Sequence, residues 1–237
     1  MTTLRALVAF DIDGTLIDTR PSFDRIVREL SGATDDDLRV FRAHGGFNDD
    51  WELARAAACW IGAGRPRVLE RCVGVDDVVA WCGHDPGDLG DRGRALYHGG
   101  YWRDERPLVA ADRLQALSTR VRVAACTGRD RAELALAEQL LGFSFPSATT
   151  ADDVRKPAAE ALLRLVRDDD EVVVLIGDTH ADRRTLHAAR AARAAVRFVY
   201  VHASSPTEPA AARLVDALLE GADVTDIHTA ASRLGEA

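Results

Sequence analysis

Short apolar runs alternate with longer amphipathic stretches along much of the chain. Four such runs, bounded by Gly, Asp or Thr, lie at 4–10, 121–126, 171–176 and 196–201. Each is apolar at mostly successive rather than alternate positions, which is typical of strands that are buried on both faces of a parallel sheet. A further strand could end within the segment SATTADDVR at 147–155.

Helical patterns follow these runs. The predicted helices lie at 130–141, 157–166, 181–195 and 209–220. Gly221 is a typical residue to end the last of them. Strands that alternate with helices favour a parallel sheet with right-handed crossovers. The sequence therefore predicts an α/β fold, with a Rossmann-like parallel sheet and helices on both of its faces.

Residues 19–107 interrupt this alternation, because they hold no strand-like run of comparable strength. Their apolar spacing is helical. The helices predicted there lie at 23–30, 35–42, 48–61 and 66–73. Prolines stiffen both crossings into the sheet domain. We therefore predict an all-α domain at 19–107, inserted into an α/β core domain formed by 1–18 and 108–237.

Composition and charge narrow the class of protein. Of the 237 residues, 47% are apolar and the formal net charge is −8, so the chain is expected to fold and offers no basic stripe for a nucleic-acid backbone. No apolar run approaches a membrane span, and Arg5 and Asp11 interrupt the first run too early for a signal peptide. The cysteines form no CxxC pair, which disfavours a zinc site or a disulfide framework. We expect a cytoplasmic protein with neither a nucleic-acid nor a membrane partner.

Polar residues follow three of the predicted strands. Asp11 and Asp13 follow the first, Thr127 and Gly128 follow the second, and Asp178 follows the third. The carboxyl ends of parallel strands meet at one edge of a sheet, where ligands bind, so we expect these residues to lie close together. Side chains two positions apart on an extended segment point the same way. The first two carboxylates therefore repel each other unless a cation or a shared proton holds them.

Each of these residues also has an ordinary structural interpretation. Asp178 can cap a helix or a turn, and Thr127 can be a helix N-cap. Lys156 can be a surface residue, although it is the only lysine in a chain that otherwise carries its positive charge as arginine. A compact ammonium suits a point-charge role that a planar guanidinium fills less well. These interpretations explain poorly why all the residues occur together at successive strand ends.

Four ordered motifs resemble those of a known family. They are DIDGT at 11–15, CTGR at 126–129, RKP at 155–157 and GDTHAD at 177–182. They resemble the motifs of the haloacid dehalogenase superfamily, whose members are mainly phosphatases that work through a phosphoaspartate. The resemblance covers nearly the whole chain and extends to the phosphoglycolate phosphatase-like subfamily, since the inserted helical domain is similar to the class-one cap.

The resemblance implies a magnesium-dependent catalytic site. Asp11 would be the nucleophile that attacks phosphorus, and Asp13 would be the general acid and then the general base. Mg²⁺ would be held by Asp11, the backbone carbonyl of Asp13 and Asp178.

Other motif residues would bind the phosphoryl group or orient the catalytic residues. Thr127, the Gly128 amide and Lys156 would bind the phosphoryl oxygens. Asp182 would orient Lys156 or a metal-bound water. Thr15 would tighten the first loop.

Two features have two interpretations each. Arg129 stands where many relatives have asparagine, and it either adds a phosphate contact or caps the following helix against Glu133. The segment HGGFNDDW, which begins at His44, has the glycines, capping asparagine and acidic residues of a helix start. In the functional interpretation, His44, Phe47 and Asn48 lie on the cap over the phosphate and bind the leaving group.

These expectations define a function with open alternatives. We predict a Mg²⁺-dependent phosphomonoester hydrolase that acts on a small polar phosphorylated metabolite through an aspartyl-phosphate, as a monomer or a homodimer. A phosphoryl transferase or mutase of the same fold and a non-catalytic phospho-ligand-binding protein are the alternatives. Asp13 argues against carbon–halogen hydrolysis, because the dehalogenase branch lacks a second aspartate at that position. In the family that the chain resembles, phosphonate hydrolases and phosphoglucomutases use a lysine of the cap. Residues 19–107 contain no lysine, which argues against both activities.

Overall fold

The computed structural model describes residues 5–44, 50–67, 69–72, 74–203 and 210–222. The chain divides into two compact units. The core unit comprises Met1–Asp18 and Arg106–Ala237, and the helical unit comprises Thr19–Glu105. The predicted insertion ends at residue 107, whereas the helical unit ends at residue 105.

The strands of the core unit form a five-stranded sheet and a separate two-stranded pair. They are β1 (Ala6–Phe10), β2 (Ile17–Asp18), β3 (Arg106–Pro107), β4 (Arg122–Cys126), β5 (Ala148–Thr149), β6 (Val172–Gly177) and β7 (Arg197–His202). The large sheet has the order β5-β4-β1-β6-β7 with every neighbouring pair parallel, and β2 pairs with β3 antiparallel. The predicted parallel sheet is confirmed, and the SATTADDVR segment contains β5.

The first five helices belong to the helical unit and the rest to the core unit. They are α1 (Arg20–Ser31), α2 (Asp35–His44), α3 (Asp50–Gly62), α4 (Val75–Cys82), α5 (Gly90–His98), α6 (Ala111–Ser118), α7 (Arg131–Leu141), α8 (Glu160–Leu163), α9 (His180–Ala192) and α10 (Ala210–Leu219). Among the described residues, no helix combines the length and the apolar character needed to cross a membrane.

Successive residues of the central strand β1 face opposite sides of the sheet. Val8 and Phe10 belong to an apolar cluster shared with α6, α7 and α10. Leu7 and Ala9 belong to a second cluster, shared with α8 and α9. Because helices cover both faces, every position of β1 is buried, which accounts for its continuous apolar run. The predicted α/β fold with helices on both faces is confirmed.

Two predicted helices are shorter in the structure. The segment 157–166 is α-helical only in α8, because neighbouring bonds, such as the one from the Ala161 amide to the Ala158 carbonyl, close i to i+3 turns. The segment 66–73 contains a 3₁₀ turn at Leu69–Arg71, and two of its positions lie outside the described residues.

Three helices, α4, α5 and α6, have no counterpart among the predicted ones. α4 and α6 span eight residues each, which is too short for a clear apolar periodicity. α5 contains Gly90 and Gly93, and glycine is a weak helix former. Packing explains why Gly93 is a glycine, because a Cβ at this position would lie 2.2 Å from the ring of Trp51.

The helical unit has its own apolar core. Phe41 of α2 and Trp60 of α3 meet edge to face with ring centroids 5.5 Å apart. The same cluster includes Val27 of α1 and Val78 of α4. A buried core of this kind is what a separate domain requires.

Candidate active site

Three of the predicted site residues follow adjacent strands of the sheet. Asp11 is the first residue after the central strand β1, and its amide donates to the carbonyl of Ile176 at 2.8 Å. Thr127 follows β4 and Asp178 follows β6, the two strands that flank β1. The parallel register therefore brings all three to the same edge of the sheet.

Lys156 joins this edge from the segment before α8. Its Nζ lies 2.9 Å from Oδ1 of Asp11, and it donates hydrogen bonds to Oδ1 of Asp182 at 2.5 Å and to the Cys126 carbonyl at 3.3 Å. Only 8% of the lysine side chain is exposed. Burial by itself would lower the pKa of Lys156, but the carboxylates of Asp11 and Asp182 outweigh it and raise that pKa, so the ammonium stays charged.

Asp11 is a buried carboxylate in a crowded site. Burial raises the pKa of Asp11 well above its usual value, the Lys156 ammonium opposes this shift, and the charges of Asp182 and Asp13 add to it. A further cation beside this carboxylate would therefore favour its ionised form.

Asp182 is held at the start of α9 by a capping box. Its Oδ2 accepts hydrogen bonds from the Thr179 amide at 3.1 Å and from the Thr179 hydroxyl at 2.5 Å, and its own amide donates to that hydroxyl. Its Oδ1 accepts from Lys156. A Cβ on Gly177 would lie 2.6 Å from the Asp182 carboxylate, so the strand has to end in glycine here. Both oxygens of Asp182 are thus engaged, and one of them fixes the ammonium.

Asp178 differs from Asp182, because no described residue donates a hydrogen bond to one of its carboxylate oxygens. Its Oδ1 is buried and has no hydrogen-bond partner among the described residues. Gly14, at φ +70°, approaches so closely that a Cβ on it would lie 2.0 Å from Oδ2 of Asp178. Burial, with the charge of Asp182 next in importance, raises the pKa of Asp178 to about 6. A buried carboxylate without a partner is costly, so this oxygen needs a cation or a proton.

The residues at this edge fit a divalent cation. One carboxylate oxygen from each of Asp11, Asp178 and Asp182 lies within 4.8 Å of the others. Because Asp182 is engaged by Lys156 and Thr179, Asp11 and Asp178 are the members with capacity for a metal. A set of hard oxygen donors suits Mg²⁺. The predicted metal set included Asp13 through its backbone carbonyl, and its side chain is not part of this cluster.

Asp13 forms an ion pair with Arg129. Nε of Arg129 donates to Oδ1 of Asp13 at 2.8 Å, and Nη2 lies 2.6 Å from the same oxygen. The arginine side chain is only 2% exposed, whereas that of Asp13 is 37% exposed. Nη1 also lies 3.4 Å from the backbone carbonyl of Glu133. Both predicted interpretations of Arg129 left out its contact with Asp13.

The remaining core residues of the prediction lie in two loops. Thr127 is buried, and its hydroxyl accepts a hydrogen bond from the Arg129 amide at 3.1 Å. The Gly128 amide makes no hydrogen bond within the described part of the chain, so it is available to a ligand. The amide of Thr15 donates to the Ile12 carbonyl and helps close the first loop, while its buried hydroxyl has no partner among the described residues.

One further side chain supports the site and has no predicted role. The hydroxyl of Tyr200, in β7, donates to the carbonyl of Gly177 at 2.9 Å and lies 3.2 Å from that of Thr179. It therefore fixes the loop that carries Asp178. The only sequence signal was a hydroxyl-bearing aromatic residue within an apolar run.

The predicted cap residues fall largely outside the description. Phe47 and Asn48 lie outside the described residues, and His44 is described only as the last residue of α2. Their proposed contact with the leaving group remains a prediction.

The chain belongs to the haloacid dehalogenase-like hydrolase family, because the model of that family matches residues 6–190. The matched range includes all four motifs, so the predicted family and the prediction that the chain is an enzyme are confirmed. A search of curated proteins gave no match.

Solved structures share the fold. The chain is similar to the phosphatase Tt82 from Thermococcus thioreducens, with 26% identity and a TM-score of 0.73 over 91% of this chain and 99% of that one. It is also similar to a subfamily IA, variant 1 hydrolase of the superfamily from Geobacter sulfurreducens, with 19% identity and a TM-score of 0.52 over 91% and 97% of the two chains. A haloacid dehalogenase-like family hydrolase from Streptococcus pneumoniae has 16% identity and a TM-score of 0.53 over 91% and 92%. The last two likenesses concern the fold alone.

Proposed function

We propose that the chain is a Mg²⁺-dependent phosphomonoester hydrolase that acts on a small polar phosphorylated metabolite through an aspartyl-phosphate. The carrying observation is that Lys156 Nζ lies 2.9 Å from Asp11, beside the buried Oδ1 of Asp178, to which no described residue donates a hydrogen bond. The first of these groups can neutralise phosphoryl oxygens, the second can attack phosphorus and the third can bind a cation.

Asp11 begins the proposed reaction. Its carboxylate oxygen attacks phosphorus, the bond between phosphorus and the leaving oxygen breaks, and that oxygen keeps the electron pair and takes a proton from Asp13. In the second step Asp13 removes a proton from water, whose oxygen attacks the same phosphorus. The bond from phosphorus to Asp11 breaks, which releases inorganic phosphate and restores the carboxylate.

The other residues stabilise charge. Lys156, the Thr127 hydroxyl and the Gly128 amide would bind the phosphoryl oxygens, and Asp182 would hold Lys156 in place. Asp11, Asp178 and the Asp13 carbonyl would hold Mg²⁺. When bound, the ion supplies the positive charge that lets an anionic nucleophile approach an anionic phosphate.

The comparisons favour phosphate esters as substrates. The chain belongs to a hydrolase family, and the protein from Thermococcus thioreducens, 26% identical, is a phosphatase. Asp13 provides the second carboxylate that an alkoxide leaving group needs for protonation. His44, Phe47 and Asn48 are proposed to bind the remainder of the substrate. The many acidic residues and arginines of residues 19–107 favour a polar metabolite.

A phosphate-release assay over a panel of phosphomonoesters, including p-nitrophenyl phosphate, tests the proposal. We expect release that needs Mg²⁺ and stops with EDTA, and we expect Asp11→Asn to reduce turnover by at least about 10³-fold. Asp168→Asn, which removes an exposed carboxylate of the core unit, should leave turnover unchanged. Mass spectrometry of a quenched reaction should detect one phosphoryl group on Asp11.

Binding of Mg²⁺ gives a readout that is independent of turnover. Mg²⁺ should raise the melting temperature of the wild-type chain, and Asp178→Asn should remove most of this rise. Phosphate transfer to an acceptor rather than to water would indicate a transferase. Tight binding of phosphate esters without turnover would indicate a binding protein, and either result would contradict the proposal.

A further inference from the structure

The ion pair between Arg129 and Asp13 differs from the surface ion pairs of the chain, because its arginine side chain is buried while its carboxylate is partly exposed. Two nitrogens of the guanidinium approach the same carboxylate oxygen, Oδ1, at 2.8 and 2.6 Å. The arginine side chain is only 2% exposed, so loss of this contact should cost more than loss of an exposed ion pair. The pair links residues 116 positions apart in the chain.

The two oxygens of Asp13 differ in their surroundings. Oδ1 accepts from Arg129, whereas Oδ2 has no hydrogen-bond partner among the described residues. The side chain is 37% exposed, so Oδ2 is open to a ligand. Rotation of the carboxylate would exchange the two oxygens, and the double contact to Oδ1 opposes that rotation.

The backbone of Arg129 is itself fixed. Its amide donates to the Thr127 hydroxyl at 3.1 Å, and its carbonyl accepts from the Ala151 amide at 2.9 Å. The side chain therefore extends from a loop that is anchored on both β4 and the segment after β5. A guanidinium held in this way can position a carboxylate with little loss of entropy.

We infer that Arg129 is a positioning residue for Asp13, which holds Oδ1 so that Oδ2 faces the leaving oxygen of the substrate. The inference rests on the proposed function and gives Arg129 a role other than binding phosphate. A correctly aimed acid matters most when the leaving oxygen is basic, because an acidic leaving group departs without a proton. Loss of Arg129 should therefore slow the hydrolysis of esters with a basic leaving oxygen more than that of esters with an acidic one.

Phenyl phosphate and p-nitrophenyl phosphate form a matched substrate pair, since they share a ring and differ in the basicity of the leaving oxygen. We expect Arg129→Met to lower kcat for phenyl phosphate by about 10²-fold, with a much smaller loss for p-nitrophenyl phosphate and little change in KM. Arg129→Lys should restore part of the phenyl phosphate rate. Arg131→Met, which removes a guanidinium that is paired with Asp153 and 68% exposed, is the control and should change neither rate.

A second comparison tests whether Arg129 acts through Asp13. In an Asp13→Asn background, Arg129→Met should cause no further leaving-group-dependent loss. If Arg129→Met fails to fold, added guanidinium ion should selectively accelerate phenyl phosphate hydrolysis by a folded Arg129→Ala variant.

Other outcomes overturn the inference. Equal losses on both esters, together with weaker inhibition by inorganic phosphate, would mean that Arg129 binds the phosphoryl group. Unchanged rates would mean that it has no part in the reaction. A wild-type chain that hydrolyses neither ester would overturn the proposed function and this inference with it, whereas an active wild type with equal losses would overturn the inference alone.

Discussion

The core unit and the helical unit use charge in different ways. In the core unit, the ammonium of Lys156 and the carboxylates of Asp11 and Asp182 are buried, and the ammonium lies within hydrogen-bond distance of both. In the helical unit, ion pairs such as Arg39 with Asp36 lie mainly in solvent, with 74% and 84% of the two side chains exposed. Exposed pairs contribute at most about 1 kcal/mol, whereas burying a charge costs several kcal/mol unless it is paired. A costly arrangement that a simple apolar core would avoid is characteristic of a site kept for its chemistry.

Lys156→Met should have the largest effect of the changes that probe this contrast. The substitution leaves Asp11 and Asp182 buried without their ammonium, so we expect the free energy of unfolding of the core unit to fall by about 3–5 kcal/mol. Turnover should fall by at least about 10²-fold, because phosphoryl oxygens lose their charge partner. Chemical denaturation without metal and a p-nitrophenyl phosphate assay measure the two effects.

Arg193→Met is the matched control, since Arg193 pairs with Asp168, whose side chain is fully exposed. Its cost should stay below about 1 kcal/mol. Equal destabilisation by the two substitutions would contradict the view that buried charge distinguishes the site.

Gly14→Ala should have a smaller but specific effect. Its Cβ would lie 2.0 Å from Oδ2 of Asp178, so that side chain has to move and Mg²⁺ affinity should fall by about 10-fold or more. Gly32→Ala is a close control in the helical unit, because Gly32 has φ +73° and no atom within 4 Å of its added Cβ. Both variants pay a backbone strain of about 1 kcal/mol, and only the first should weaken Mg²⁺ binding in calorimetry.

The helical unit also contains a buried carboxylate, Asp37, which pairs with an arginine. Asp37 accepts from the Arg65 guanidinium at 2.9–3.0 Å and from the Thr34 amide at 2.9 Å, which together hold its pKa below the usual range. A lowered folded-state pKa gives stability that is present above the unfolded pKa of about 3.9 and is lost as the pH falls through the folded value. Asp37→Asn should therefore cost about 1–2 kcal/mol at pH 7.

Thermal melts across pH measure this effect. The difference between Asp37→Asn and the wild type should begin to shrink below about pH 4, where the Asp37 carboxyl of the unfolded chain takes up a proton while that of the folded chain stays ionised. Asp36→Asn, at an exposed position of the same helix, should cost under about 0.5 kcal/mol at any pH. A difference that persisted unchanged in acid would mean that the charge of Asp37 contributes nothing.

Local sequence patterns were enough to predict the fold, but they did not predict the contacts between residues that lie far apart in the chain. The apolar run at Leu7–Ala9 is continuous because helices cover both faces of its strand. The run therefore predicted a parallel sheet, and this prediction is confirmed. Asp11, Thr127 and Asp178 come at strand ends, so topology alone predicted their common edge. Their catalytic and metal-binding roles remain predictions.

Contacts that depend on three-dimensional packing were beyond the sequence. The pairing of Arg129 with Asp13 joins two loops that lie far apart in the chain, and neither residue type predicts the other. Tyr200 reaches the site from an apolar strand whose pattern reflects burial rather than chemistry. Gly93 lowers the helix propensity of α5, but a larger residue does not fit there because the ring of Trp51 occupies the space of a side chain.

The single lysine of the chain makes its site unusually easy to observe. Lys156 carries the only ε-amine in the sequence, and that amine is buried and engaged by carboxylates. An acylating reagent directed at ε-amines can reach it only when these contacts open. The rate of its acylation therefore reports how often Lys156 separates from Asp11 and Asp182, without any substrate being turned over.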